Sequence, residues 1–281
     1  MGIVRLVEKI ESSGQLIKTL RAELVNGTYK PLPVKRVQIP KDNGKTRNLG
    51  IPSIRDRIVQ MACTLVLSPV FEPHFHCNSY GYRPKRSARD AVICINAYLK
   101  QGHKQVYDAD LSKFFDTIPH SRLVDKVRSK VTDRAVLRLI KQFLKAPISE
   151  TTAKGKSRIV GNPIGTPQGG VISPLLANIY LNDFCQKIAT KTQCKIISYA
   201  DDFVILSKTT LNSAQQDWIK KELEQEGLKL NEDKTHIVDM TRVGNEFDFL
   251  GFHFQICGWL HSAHKPHKDL PIEEESKEVQ G

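Results

Sequence analysis

Lys195-Ile196-Ile197-Ser198-Tyr199-Ala200-Asp201-Asp202-Phe203-Val204-Ile205-Leu206 is the stretch on which the fold turns. Two short runs of β-branched and other apolar residues flank Ala200-Asp201-Asp202. That composition predicts two buried strands joined by a tight turn, with adjacent carboxylates at its tip. Aspartate-rich turns are common and usually solvated. The tip alone therefore does not separate a surface loop from a chemical site.

A second acidic segment changes the balance. Val106-Tyr107-Asp108-Ala109-Asp110-Leu111 puts acids inside another strand-like run, followed by Phe114-Phe115-Asp116. On a strand, Asp108 and Asp110 share one face and Ala109 takes the other. Buried carboxylates repel one another and are costly unless a cation neutralises them. Hard divalent cations such as Mg2+ take oxygen ligands of this kind. If the two segments pair, Asp110, Asp201 and Asp202 could hold two ions about 3.5–4 Å apart, the arrangement that activates an attacking hydroxyl and stabilises a leaving phosphate.

Working outward, helices and strands mix without regular βαβ alternation. Residues 4–24 have helical spacing, broken around Ser12-Ser13-Gly14 and stopped by Asn26-Gly27. Residues 34–39 and 48–51 read as a hairpin around Asp42-Asn43-Gly44-Lys45, and residues 54–70 as a helix. Residues 120–145 read as two helices, the second capped by Thr132. Ser173-Pro174 predicts a helix start with a capping hydroxyl. Residues 218–226 read as an amphipathic helix closed by Gly227, and residues 247–254 as one alternating strand. The sum is an α+β fold with antiparallel pairing.

Composition narrows the partners. The chain of 281 residues carries a formal net charge of +12. Residues 1–60 hold 12 Lys and Arg against 5 Asp and Glu, whereas residues 261–281 hold 3 against 5. A basic N-terminal region favours a polyanion, nucleic acid before membrane. The 6 cysteines form no Cys-x-x-Cys pair, so zinc and a disulfide framework are disfavoured. No apolar run approaches a membrane span and no secretory segment opens the chain, so a cytoplasmic location and no membrane partner are expected.

Tyr199-Ala200-Asp201-Asp202, with Asp110 to Phe115 upstream, resembles the palm of reverse transcriptases. Gly165-Thr166-Pro167-Gln168-Gly169-Gly170-Val171-Ile172-Ser173-Pro174 narrows the resemblance to those encoded by group II introns, the intron maturases. Lys41 to Pro52, Asn78 to Ala88, Gly227 to Thr235 and Phe249-Leu250-Gly251-Phe252 match further motifs in family order. The resemblance implies right-hand polymerase fingers and palm, an antiparallel palm sheet packed on helices, and transfer of nucleotides from dNTPs to a DNA primer on an RNA template. Intron RNA is a further partner; no obligate protein partner is evident.

By the same resemblance Asp110, Asp201 and Asp202 are catalytic and hold two Mg2+ ions, with Mn2+ as a substitute and the Leu111 carbonyl as an added ligand. Lys41 and Arg47 grip the triphosphate. Phe115 excludes the ribose 2′-hydroxyl, Gln168 contacts the incoming nucleotide or the template near it, and Lys234 protonates the leaving pyrophosphate. Gly169 and Gly170 let nucleic acid approach the backbone. Arg83 and Arg86 contact its phosphates or brace the fingers. Asp108, Asp116 and His120 are expected to be structural, and His261, His264 and His267 solvated. Residues 1–100 would form fingers with part of the palm, residues 101–256 the palm with some fingers-side helices, and residues 257–281 a short flexible tail. The family's helical thumb has no counterpart in the sequence. That leaves a rival expectation: an intron-RNA-binding or remnant protein without polymerase activity.

Overall fold

The computed structural model describes residues 3–40, 46–151, 156–257 and 260–264. Helix α1 (Ile3–Val25) runs unbroken through Ser12-Ser13-Gly14, contrary to the sequence expectation. A glycine inside a helix costs only about 1 kcal/mol relative to alanine. The buried Leu20, with Leu16 and Leu24 packed beside it, anchors the later turns in the core. Gly27, at φ +69°, ends the helix.

Strands β1 (Val34–Pro40) and β2 (Thr46–Ile51) form the expected hairpin, pairing Val37 with Leu49. Helix α2 (Ile54–Phe71) starts at Ser53, whose hydroxyl accepts from the Asp56 amide. Helix α3 (Ala88–Lys100) opens on a reciprocal Ser87–Asp90 capping box. Strand β3 (Gln105–Asp110) leads into the short helix α4 (Phe114–Thr117) and then into α5 (His120–Arg128) and α6 (Arg134–Leu144). Asp133, not Thr132, caps α6: its carboxylate accepts from the amides of Ala135 and Val136. A carboxylate also suits the positive end of the helix dipole.

Strands β4 (Ile148–Thr151) and β5 (Ser157–Val160) form a second hairpin. Helix α7 (Ser173–Lys191) begins without a side-chain cap. The Ser173 hydroxyl instead donates to the Pro167 carbonyl at 2.9 Å and meets the Thr166 hydroxyl at 2.7 Å, bracing the preceding loop. Strands β6 (Lys195–Tyr199) and β7 (Asp202–Ser207) follow, then α8 (Ser213–Gln225) and β8 (His236–Asp239). Phe247 to Phe254 is two strands rather than one. Strand β9 (Glu246–Phe249) turns at Leu250 and Gly251, both at positive φ, into β10 (Phe252–Cys257). Two successive left-handed residues make the tight turn that matches strand twist. Strand β11 (Leu260–His264) then pairs with β10, so part of the expected tail is sheet.

Among the described residues three sheets form, ordered β2-β1-β4-β5, β6-β7-β3-β8 and β11-β10-β9. Every pairing is antiparallel except β1 with β4, where Val34 lies beside Ile148. The first sheet therefore draws strands from both sides of residue 100, and the boundary expected there does not follow the sheets. The second sheet is covered on both faces. Phe203, Ile205 and Ala109 point into a core with Phe114, Tyr180 and Phe184. Val204, Leu206 and Val106 point into another with Ile95, Leu99, Phe247 and Phe254. Strand alternation feeding two cores explains why these segments read as continuous apolar runs. No helix among the described residues is long and apolar enough to cross a membrane.

Asp56 ties the N-terminal segment to α2. Its buried carboxylate accepts from the Tyr29 hydroxyl at 2.7 Å, the Leu32 amide at 3.0 Å and the Ser53 hydroxyl at 2.7 Å. Replacing Asp56 by alanine strands those donors and is expected to cost roughly 2–4 kcal/mol. Urea unfolding of Asp56→Ala, Tyr29→Phe and the double variant measures it, and the double variant should lose less than the sum.

Candidate active site

The β3–β7 register sets Asp110 directly opposite Asp202, one position from the hairpin tip. Ala200, at φ +59°, makes the turn that presents Asp201. A left-handed non-glycine residue is strained by roughly 1–2 kcal/mol and persists only where its surroundings hold it. They do so here. Residues 78–82 run along β6: the Tyr80 amide donates to the Ser198 carbonyl at 2.8 Å, and the Ser198 amide to the Asn78 carbonyl at 3.0 Å. Gly81 lies so close that a Cβ there would sit 2.4 Å from the Ala200 nitrogen. The buried Asn178 amide donates to the Gly81 carbonyl at 2.7 Å.

The acids repel one another. Burial pushes the Asp202 carboxyl up to about 7, aided by the charges of Asp201 and Asp110, while Lys234 opposes the rise. Burial likewise raises Asp108 to about 6, with Asp110 the next cause. Lys234 stands as an internal counter-cation: its ammonium lies 3.1 Å from Asp110 Oδ2, and this contact raises the lysine pKa. The Asn231 side-chain amide donates to the same oxygen at 3.1 Å, and its backbone amide to the Asp110 carbonyl at 2.8 Å. With Asp110 turned to these partners, no cluster of three or more His, Cys, Asp or Glu among the described residues is arranged as a metal cage. The carboxylates are crowded, and the Lys234 ammonium lies beside them.

The acids open on a cleft of about 1260 Å³, lined also by Arg47, Gln168, Leu111 and Lys234. Arg47 projects from β2 and is exposed. Gln168 sits on a loop stitched to that strand, its carbonyl accepting from the Gly50 amide at 2.7 Å. Lys41 lies outside the described residues. Gly169 and Gly170 do not line the cleft. Their reasons are steric: a Cβ on Gly169, at φ +111°, would meet the Gly50 carbonyl at 2.8 Å, and one on Gly170 the Ser173 hydroxyl at 2.5 Å. Phe114 lines the cleft and Phe115 does not; the two rings meet edge to face at 5.5 Å.

Arg83 takes the bracing role. Buried, it pairs with Glu72 at 2.7 Å and donates to the carbonyls of His76 and Ser79 at 2.9 and 2.7 Å. Arg86 donates to the Cys77 carbonyl and lies over the Tyr80 ring. His120 holds the loop before Gln168: its Nε2 lies 2.6 Å from the Gly165 carbonyl, and burial lowers its pKa. Asp116, which burial raises, also lines the cleft, near Arg36 and Lys113. Sequence reasoning missed Asn231. Its signal was its place in the Gly227 to Thr235 block, three residues before Lys234.

The pKa rise fixes a sign. Asp202 ionises near pH 4 when unfolded and near 7 when folded. In ion-free buffer it imposes no penalty below about pH 4, and its cost grows as pH rises to about 7. Asp202→Asn should therefore melt like wild type at pH 4 and be more stable at pH 8, by on the order of 2 kcal/mol. Thermal unfolding in EDTA at both pH values checks this, and Mg2+ at pH 8 should narrow the difference.

Comparison with known proteins agrees with this geometry. The family model described as reverse transcriptase (RNA-dependent DNA polymerase) matches residues 39–254. Protein YkfC of Escherichia coli K12 is 37% identical, over 84% of this chain and 70% of that protein. The group II intron-encoded protein LtrA of Lactococcus lactis is 39% identical over 61% of this chain, which spans only 28% of LtrA. Among solved structures, apo telomerase from Candida tropicalis, truncated from its C-terminal domain, superposes with a TM-score of 0.63 at 14% identity, over 83% of this chain and 55% of that one. That likeness speaks to fold alone. With the family model spanning most of the chain and group II intron proteins among its relatives, this chain belongs to the reverse transcriptase (RNA-dependent DNA polymerase) family.

Proposed function

We propose that this chain extends a DNA primer on an RNA template, using dNTPs, and that Asp110, Asp201 and Asp202 carry the chemistry. The observation that carries this is the pairing of Asp110 with Asp202 at the mouth of a cleft lined by Arg47, Gln168 and Lys234. Its family generally uses divalent metal ions. Here the three carboxylates and the Leu111 carbonyl would hold two Mg2+, or Mn2+ in their place. When bound, the ions supply Lewis acidity that lowers the pKa of the primer hydroxyl and offsets charge on the leaving phosphate.

The remaining steps belong to side chains. Arg47, with Lys41, neutralises and orients the triphosphate. Lys234, whose ammonium lies 3.1 Å from Asp110 Oδ2, would donate a proton to the leaving pyrophosphate. Gln168, fixed by the loop on β2, contacts the incoming nucleotide. Phe115, backed by Phe114, limits the space for a 2′-hydroxyl. Arg86, with the face that Arg83 braces, receives nucleic-acid phosphates, and intron RNA is a further ligand of this basic surface. We assign fingers to residues 1–100 plus the β4–β5 hairpin, and palm to the rest of residues 101–256. The thiols of Cys63, Cys185 and Cys194, free and buried, suit a reducing cytoplasm.

Primer extension on an RNA template tests the proposal. Wild type should incorporate dNTPs with Mg2+, and Asp201→Asn should lose at least about 10³-fold, as expected when charge stabilisation in the transition state is removed. Extension by Asp201→Asn at the wild-type rate would sink the assignment. Tight, salt-sensitive RNA binding without extension would favour the binding-only reading. In the same assay Phe115→Val should admit ribonucleotides; unchanged sugar selection would remove its gate role and turn attention to Phe114.

A further inference from the structure

We propose that Cys77 and Cys94 are a site of oxidative modification: a peroxide closes them into a disulfide, and the bridge disturbs the support behind Asp201 and Asp202. The bond itself is independent of the polymerase reading above, on which only its effect on primer extension rests. Cys77 is exposed, and Cys94, on α3, is half-buried. Cys63, Cys185 and Cys194 are buried. The first two thiols meet at one atom: Cys77 Sγ lies 3.7 Å and Cys94 Sγ 3.6 Å from Asn78 Oδ1. The two sulfurs are therefore no further apart than the sum of those distances, although one sits on a loop and the other inside a helix. The Arg86 guanidinium donates to the Cys77 carbonyl, and a cation there favours the thiolate form. Burial raises the Cys94 pKa first, the Tyr80 hydroxyl opposes the rise, and charge on Cys77 adds to it, so each sulfur feels the other. An exposed thiol beside a cation is the one a peroxide reaches, and a second thiol held against it is its resolving partner.

The chemistry has two steps. The Cys77 thiolate attacks one oxygen of hydrogen peroxide; the O–O bond breaks, a sulfenic acid forms, and the departing hydroxide takes up a proton as water. The Cys94 sulfur then attacks the sulfenic sulfur; the S–O bond breaks, and the hydroxyl leaves with the thiol proton as a second water. Each sulfur gives one electron, and the peroxide takes both. A disulfide holds its sulfurs about 2.05 Å apart. The Asn78 carboxamide, which both thiols now contact, must give way to it. That carboxamide also donates to the Tyr98 hydroxyl at 3.2 Å, and Asn78 is buried. Its carbonyl accepts from the Ser198 amide at 3.0 Å, and Gly81 just beyond it is pressed against Ala200. Displacement of Asn78 therefore passes to the turn that presents Asp201. A misplacement of about 1 Å can cost on the order of 100-fold in rate.

The test is treatment of the whole chain with hydrogen peroxide, then thiol blocking and mass spectrometry of a non-reducing digest, alongside primer extension. Wild type should yield a peptide linking Cys77 to Cys94, which dithiothreitol removes. Extension should fall at least about tenfold and return with dithiothreitol. Cys77→Ser and Cys94→Ser should extend like wild type when reduced and keep that rate in peroxide. Unlinked Cys77 and Cys94, or Cys77 carried alone to the sulfinic acid, overturns the pair. A linked peptide with unchanged extension, or an equal loss in Cys94→Ser, overturns its connection to the hairpin. Failure of the reduced protein to extend any primer defeats the polymerase reading instead. Hydrogen exchange at the Ser198 amide then decides the connection: it should quicken on oxidation, and an unchanged rate overturns it.

Discussion

Cross-strand pairing of Asp110 with Asp202 is the constraint on which the rest of the molecule depends. Strand alternation leaves no freedom there. Once Ala109 and Phe203 fill one core and Val106 and Val204 the other, the acids at the strand ends must face each other. The two apolar cores thus enforce an arrangement that electrostatics opposes. Burial first, and the neighbouring carboxylates second, raise Asp202 to about 7 and Asp108 to about 6.

What surrounds the pair answers that cost. Lys234 and Asn231 meet Asp110 from the segment after α8, offsetting part of the charge. The turn at Ala200 is held from behind by Gly81 and Asn178. The Gln168 loop is pinned by His120, Ser173 and Gly50. The loops around the pair are fixed by backbone hydrogen bonds, whereas the ammonium of Lys234 is exposed.

Much of this was legible in the sequence because it rests on local rules. The apolar runs around Asp201 and Asp202, and the paired motif at Asp110, specify strands whatever surrounds them. The failures share a different cause: tertiary contacts override local signals. Gly14 reads as a break, but Leu20 and its neighbours hold the helix through it. Ser173 reads as a cap, but its hydroxyl finds Pro167 first. Leu250 gives no hint of a left-handed turn, so one strand was expected where a hairpin forms. Gly169 and Gly170 also meet a steric demand that no local pattern announces, since a Cβ on either would strike the Gly50 carbonyl or the Ser173 hydroxyl. Asn231 is visible only once the chain is folded, since it gains meaning from Asp110, more than a hundred positions away.

The most direct test of the central claim, that the β3–β7 pairing builds a seat for divalent cations, is the stoichiometry of Mn2+ bound in the presence of hybrid and dNTP, read by electron paramagnetic resonance. Wild type should bind two ions at pH 8, and Asp110→Asn should lose that binding while retaining its fold. Full Mn2+ occupancy in Asp110→Asn, or none in wild type, would contradict the account.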